Sequence, residues 1–269
     1  MKTRTTLSLV AAGLLVSGVA NANATFNNEH CDVELDGNIQ YYKGLLTVEM
    51  NNGSTMTITE DYELTINGES VSLDREQQRW VEDYYDQIDT AIPMTLNIAA
   101  EGLEIASSAV GEVFGELLGA DDEMVMEFSE LFDGLSEEMK IRFYDDQGNI
   151  RVDSTEFNQP GWFDNAWEDE FEARVESLVS QSVGRIMVAI GTEMMFGDGD
   201  MQAFEQKMER FGETIENRVE AQAEALEGKA DELCAVLAKA DYAENQMQKH
   251  INGLDGLNLL EMKNGSLKM

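Results

Sequence analysis

Two cysteines and two histidines are the only thiol or imidazole ligands in the chain: His30 and Cys31 near the beginning, Cys234 and His250 near the end. Their types would suit a tetrahedral zinc ion, but adjacent residues such as His30 and Cys31 rarely both reach one small cation. A second candidate is the run from Asp198. It sets Asp198, Asp200 and Gln202 at positions one, three and five of a calcium loop and Glu209 at position twelve. Position six is Ala203, where such a loop needs glycine to turn. The same residues also read as a loop entering a helix, with Asp200 as its N-cap. Nucleophilic and acid–base catalysis leave no signature, since G-x-S-x-G, H-E-x-x-H, C-x-x-C and a glycine-rich phosphate loop are all missing from the sequence. Carboxylates number 53 in 269 residues, so no single pair stands out, and a glycosidase-like pair would be hidden among them. No catalytic residue, cofactor-binding residue or metal ligand is assigned, and the chain reads as a non-enzyme.

What remains for the cysteines depends on the compartment. Lys2 and Arg4 precede an apolar run from Leu7 to Ala20, followed by the overlapping small-x-small sites Ala20-Asn21-Ala22 and Ala22-Asn23-Ala24. That order is a cleavable signal peptide over residues 1–24, cut after Ala22 or Ala24. The run is shorter than the about 20 apolar residues of a membrane span, and Gly13, Ser17 and Gly18 interrupt it. Every later candidate span carries several carboxylates, so no transmembrane anchor is expected. A bacterial lipoprotein would place its modified cysteine at the cleavage site behind a small apolar tripeptide, whereas Cys31 follows Asn28-Glu29-His30. An even pair in an exported chain favours a disulfide between Cys31 and Cys234. Closing a loop of about 200 residues is worth roughly 5 kcal/mol on chain entropy, less any strain.

Charge narrows the partners. The chain has 18 basic residues against 53 acidic ones, a formal net charge of −35. Repulsion excludes nucleic acid and anionic membrane surfaces. The acids are spread along the whole length and apolar content is 43%, so disorder is not indicated. The excess fits solvation in a saline medium, where at about 0.5 M salt screening shortens to a few ångströms. Its other use would be recruitment of cations or of a basic partner.

The elements that must position these residues follow from periodicity. From Asp32 to Leu73, Thr and Val alternate with polar residues, and Asn52-Gly53 and Asn67-Gly68 are hairpin signals; residues 25–73 are predicted to form an antiparallel β-meander. Asp74 N-caps a helix with Trp80, Val81, Tyr84, Tyr85 and Ile88 on one face, reaching Ile92, with Pro93 a boundary or a kink. The next helical stretch repeats small residues at Ser107, Gly111, Gly115 and Gly119, a ridge expected to pack closely on another helix; Ala106, Val110, Val113 and Leu117 form its apolar stripe. A short helix from about Asp122 to Phe132 follows in this helical block, 74–139, and residues 140–153 read as a small hairpin around Asp146-Gln147-Gly148-Asn149.

Long helices fill 164–253. The first runs from Asn165 to about Met195 with Trp167, Phe171, Val175, Leu178, Ser182, Ile186 and Ile190 on one side. The second repeats apolar residues at the 3.6-residue period through Met201, Phe204, Met208, Phe211, Ile215, Val219, Ala223, Leu226, Ala230, Leu233 and Leu237. Unbroken, about 40 residues make a rod of roughly 60 Å. A compact chain of this size is only about 45 Å across, so the molecule is elongated or the helix breaks, with Gly228 the expected break. Beside the apolar stripe runs an acidic one, Glu205, Glu209, Glu213, Glu216, Glu220, Glu224, Glu227 and Asp231. Such like-charge neighbours each cost a helix roughly 0.2 to 0.5 kcal/mol in dilute buffer, and Lys207, Arg210, Arg218 and Lys229 relieve only part of that.

In order along the chain, Cys31 opening the first strand, "LTINGESVSLDREQQ", "IRFYDDQGNIRV", "VGRIMVAIGTEM" and Cys234 resemble the YggN-like family of bacterial periplasmic proteins, a family defined by a domain of unknown function. The resemblance covers nearly the whole chain beyond the signal peptide. It implies a periplasmic location and a β-then-α layout, and supplies no activity, ligand or catalytic residue.

The sequence thus predicts an exported α+β protein, mostly helical, with residues 25–269 as one domain in which the meander packs against long amphipathic helices. The expected role is non-enzymatic binding of another envelope macromolecule, a protein or other basic partner. The alternatives are a divalent-cation-binding protein using the acidic helix face and a hydrolase with a concealed carboxylate pair.

Overall fold

Positive-φ turns explain why the first part of the chain folds back on itself so often. Asn67 and Gly68 adopt φ of 51° and 80°, and Lys43 and Gly44 adopt 48° and 73°. These are the mirror-image turns whose twist matches paired strands. The computed structural model describes residues 23–28, 31–156, most of 173–191 and 201–262. Residues 1–22 of the expected signal peptide and residues 157–172, with Trp167 and Phe171, lie outside them. In chain order the strands are β1 (Asn23–Asn28), β2 (Cys31–Asp36), β3 (Asn38–Tyr42), β4 (Leu45–Glu49), β5 (Thr55–Ile58), β6 (Leu64–Ile66) and β7 (Glu69–Ser70). There follow α1 (Arg75–Leu118), α2 (Glu123–Phe143), β8 (Arg151–Asp153), helical residues within 173–191, α3 (Met201–His250) and β9 (Leu260–Met262). The fold is α+β and mostly helical, as the sequence predicts.

Both sheets are antiparallel. β3 to β7 form the meander, with β8 added beyond β3, and β1, β2 and β9 form a second sheet. In the meander Leu46 faces Ile58 and Val48 faces Met56 across β4 and β5, and all four are buried. Alternation at period two therefore delivers one apolar face. Val81, Tyr84, Tyr85 and Ile88 of α1 and Ala240, Ala243 and Met247 of α3 pack on this core. The segment after α3 completes it with Ile251, Leu254, Leu257, Leu259 and Leu260, all at most 3% exposed.

Asp74 is the N-cap of α1. Its Oδ1 accepts the amides of Glu76 (2.8 Å) and Gln77 (2.9 Å), and Gln77 Oε1 accepts the Asp74 amide in return at 2.9 Å. The other end of the same Gln77 side chain donates to the His250 carbonyl at 2.7 Å, so one residue caps α1 and fastens it to the end of α3. The two helices lie antiparallel over their length: beyond that join, Glu101 pairs with Lys229 and Glu112 with Arg218.

Several sequence expectations are corrected. Pro93 is no boundary, for α1 continues through it from Arg75 to Leu118; the proline lacks only the amide that would reach the Asp89 carbonyl, and the packing on either side holds the helix. Gly228 does not break α3, which is 50 residues long, roughly 75 Å at the usual rise. α2 extends to Phe143 instead of Phe132, so Ile141 and Phe143 belong to a helix whose last turn carries Lys140 and Arg142, a favourable placement against the helix dipole. The turn is where the sequence put it, with Asp145 Oδ1 accepting the amides of Gln147 (2.9 Å) and Asn149 (2.8 Å). However, the arms of the expected hairpin meet only at Tyr144 and Ile150, and Arg151–Asp153 pairs instead with β3. Among the described residues the small-residue ridge does not seat a helix: a Cβ at Gly111 would meet nothing within 4 Å, one at Gly115 only the Ala120 backbone at 3.8 Å, and Gly119 at φ 103° ends α1.

A second, smaller cluster sits away from the sheets. Met124 and Leu131 of α2 and Leu178 are buried there, with Phe114 and Phe128 stacked at 4.8 Å. Of the face expected on the helix from Asn165, Leu178 and Ser182 are buried and Val175 is partly so.

Candidate functional site

Two polar constellations lie along α1. The first fastens the meander to it: Tyr41 donates to Asp89, Tyr62 donates to Asp86 at 3.0 Å, and Tyr85 donates to the Gly44 carbonyl at 2.7 Å. The Tyr62 and Tyr85 rings meet edge to face at 5.6 Å. Burial, followed by the Asp89 contact, pushes the Tyr41 phenol well above its ordinary range, and the hydrogen bond to Asp86 raises that of Tyr62. Each phenol is therefore held protonated with its proton committed to an acceptor. That chemistry fixes a helix to a sheet.

The second constellation is buried. Glu244, at 2% exposure, projects from α3 into the core, where its Oε1 accepts the Leu260 amide at 3.1 Å. Neither its Oε2 nor the hydroxyl of the fully buried Tyr84 has a hydrogen-bond partner of ordinary geometry, and the two groups act on each other across the α1–α3 seam. Burial, the largest cause, raises the Glu244 carboxyl to about 7 against the pull of the Leu260 amide, Tyr84 and the Leu259 amide; the Asp241 charge adds to the rise. Asp241, half-buried one turn earlier, is itself raised by burial and by Glu261 of β9, while Lys249 acts in the opposite direction. These acids share a neighbourhood, yet among the described residues no group of three or more His, Cys, Asp or Glu side chains is arranged to hold a metal ion.

The sequence-nominated residues fall as follows. Cys234 is buried in the main core and is not a free thiol. Cys31 opens β2, which packs against α3. His250 stacks on Trp80 at 4.9 Å between ring centres, and His30 lies outside the described residues. The calcium-loop reading is overturned: α3 begins at Met201, so Gln202 and Glu209 stand on a regular helix and cannot close a loop around an ion. Asp198 and Asp200 lie outside the described residues.

The acidic stripe is real as a surface. Glu209, Glu213, Glu216, Glu220, Glu224 and Glu227 are all exposed on α3. Arg218 and Lys229 reach across to α1 to pair with Glu112 and Glu101. They tie helix to helix while the stripe itself faces solvent. Among the described residues, no helix is long and apolar enough to cross a membrane.

Glu244 escaped the sequence reading although a signal was present. Continuing the apolar stripe of α3 past Leu237 gives Ala240, Glu244, Met247 and Ile251, so a lone carboxylate occupies a core position. Its partner Tyr84 stands on the face predicted for α1.

A family model described as "Protein of unknown function (DUF2884)" matches residues 31–260. No curated protein and no solved structure matches the chain.

Proposed function

Because this chain belongs to the DUF2884 family, whose description names no activity, we propose from its own residues that it is an exported, non-enzymatic envelope protein of the YggN-like kind that binds another macromolecule through the far halves of its helices. One observation carries the reading. α1 past Leu96 and α3 before Ala230 extend beyond the main core with no buried residue among those described, and they present the exposed carboxylates of the acidic stripe. Near that end Met126, Met187 and Val188 are more than half exposed. Helix length kept clear of the core is a surface, and its charge suits a basic partner.

Export and the cysteine pair belong to the same proposal. β1 starts at Asn23 and pairs Asn23 with Asp36 and Ala24 with Leu35, so cleavage after Ala22 would preserve the strand while cleavage after Ala24 would shorten it. Sequencing of protein from a periplasmic fraction should begin at Asn23. A Cys31–Cys234 bond would join β2 to α3, two elements already in contact.

Crosslinking in intact cells should recover a defined partner, and Glu213→Lys with Glu216→Lys and Glu220→Lys should abolish recovery while leaving the circular dichroism unchanged. No partner, together with a bound small molecule, would overturn the proposal. The exposed stripe also favours a second reading, weak binding of divalent cations; titration calorimetry with calcium in high salt would reject it by showing no heat.

A further inference from the structure

The segment after α3 is the last piece of the core. Polar contacts hold it: Glu244 Oε1 accepts the Leu260 amide at 3.1 Å, Gln248 Nε2 donates to the Leu257 carbonyl at 2.6 Å, and the Asn51 amide donates to the Gly256 carbonyl at 3.0 Å. Among these contacts only Glu244 can change charge. Beyond it, β9 pairs with β2 over just three residue pairs, Val33 with Met262, Glu34 with Glu261 and Leu35 with Leu260. β9 is thus a short strand whose attachment depends on the residue behind it.

We propose that Glu244 is a proton-operated latch on the C-terminal strand: its neutral carboxyl holds the Leu259–Met262 segment against β2 and α3, and its ionisation loosens that segment. A neutral carboxyl can donate from Oε2 to the Tyr84 oxygen while Oε1 still accepts from Leu260, which gives Oε2 a partner without placing a charge in the core. An ionised carboxyl in the same place is a buried charge. The groups that face it do not neutralise it: Tyr84 on α1 is held protonated, Asp241 on α3 is acidic, and behind Asp241 stand Glu261 of β9 and Lys249, which acts on Asp241. Release of Leu260 would let water reach the charge. An envelope compartment open to the outside pH would give this latch a signal to follow.

The sign follows from linkage. Glu244 binds its proton more tightly folded, to about 7, than at its ordinary value of 4.5, so its contribution to stability is complete below about 4.5 and is lost as pH rises through 7. The test is amide hydrogen exchange of Leu259 to Met262, corrected for intrinsic rates, from pH 5 to pH 8. Protection in the wild-type protein should fall by up to about a hundredfold over that range. Glu244→Gln, which keeps the acceptor for Leu260 and cannot ionise, should hold the pH 5 level throughout. An equal fall in wild type and Glu244→Gln, or none in wild type, would overturn the latch. A carbon-13 titration of the glutamate carboxyls of the wild-type protein provides a readout that needs no variant. One resonance should titrate near neutrality and disappear from that range in Tyr84→Phe as it moves higher; all glutamates titrating with ordinary carboxyls would sink the proposal.

Discussion

The same two helices pass through two different environments. Under the sheets, α1 buries Val81, Tyr84, Tyr85, Ile88, Ala91 and Leu96, and α3 buries Ala230, Leu233, Cys234, Ala240, Ala243 and Met247. Beyond Leu96 and before Ala230 the antiparallel register continues, but no described residue of either helix is buried there, and the fastening is by Glu101–Lys229 and Glu112–Arg218. Helical periodicity is present in both halves, so it is not what makes the difference. The sheets and the C-terminal segment cover one half, and among the described residues only Met124, Leu131 and Leu178 form a buried cluster near the other. The molecule should therefore open from the far end inward, with the sheet-covered half the last to unfold.

The largest test of that gradient concerns the proposed link between β2 and α3. If Cys31 and Cys234 are bonded, reduction should lower global stability by up to about 5 kcal/mol while leaving the far half's local opening unchanged. Urea unfolding with and without reductant measures the first, and hydrogen exchange along α1 the second. Two thiols titrating in the unfolded, unreduced protein would remove the link from the comparison.

Next in size are paired truncations in the two clusters. Leu46→Ala, at a site with no exposure among strands and both long helices, should cost about 3 to 5 kcal/mol and shift the whole unfolding curve. Leu131→Ala, in a cluster rimmed by partly buried residues, should cost nearer 2 kcal/mol and leave the main transition in place. Equal effects on one shared transition would show that the halves unfold as a single unit.

How far the sequence discloses this division depends on how local each cause is. The Asn67-Gly68 turn and the Asp74 N-cap are set by residues within a few positions, and they stand where the sequence predicts. The pairing of β8 with β3 joins residues more than a hundred positions apart, and β1 and β9 are likewise defined only by the strand they meet; no local pattern announces such partners. The stretch around Ile141 and Phe143 alternates like a strand yet serves a helix end, because a few apolar residues fit either period and the helix supplies the better dipole and packing. Glu244 was within reach, as a carboxylate interrupting an apolar stripe. Its orphaned oxygen was not, because Tyr84 is brought to it only by the antiparallel register of α1 and α3. The extent of the uncovered half was hidden for the same reason: the stripe from Ile215 to Leu226 has core periodicity, and Ala223 within it is exposed.

The glycines offer a smaller and oppositely signed test. Gly111 and Gly134 have helical backbones, and a methyl group at either would meet nothing within 4 Å, so alanine there restricts the unfolded chain without a clash. Gly111→Ala should stabilise the far half by about 0.5 to 1 kcal/mol, read as slower local exchange in α1. In the covered half the same change at Gly253 should destabilise, because its φ of 92° suits glycine and a Cβ would press on Ile66 at 3.1 Å. If Gly111→Ala instead destabilises, a neighbour covers that face and the uncovered half is correspondingly smaller.

The finest discrimination is the Glu112–Arg218 pair, whose side chains are 33% and 54% exposed. Water and salt screen such a pair, so a double-mutant cycle should give a coupling below about 1 kcal/mol in dilute buffer. At about 0.5 M salt, where the screening length falls to a few ångströms, the coupling should vanish. The same salt also screens the exposed Glu213, Glu216 and Glu220 from one another along α3, and that repulsion opposes the pair in sign. The close acid–acid neighbours along this face outnumber the cross-helix pairs Glu101–Lys229 and Glu112–Arg218, so salt should increase protection in the far half even as it erases the Glu112–Arg218 coupling. Loss of protection with added salt would mean that the ion pairs, not the repulsion they bridge, set the stability of this half.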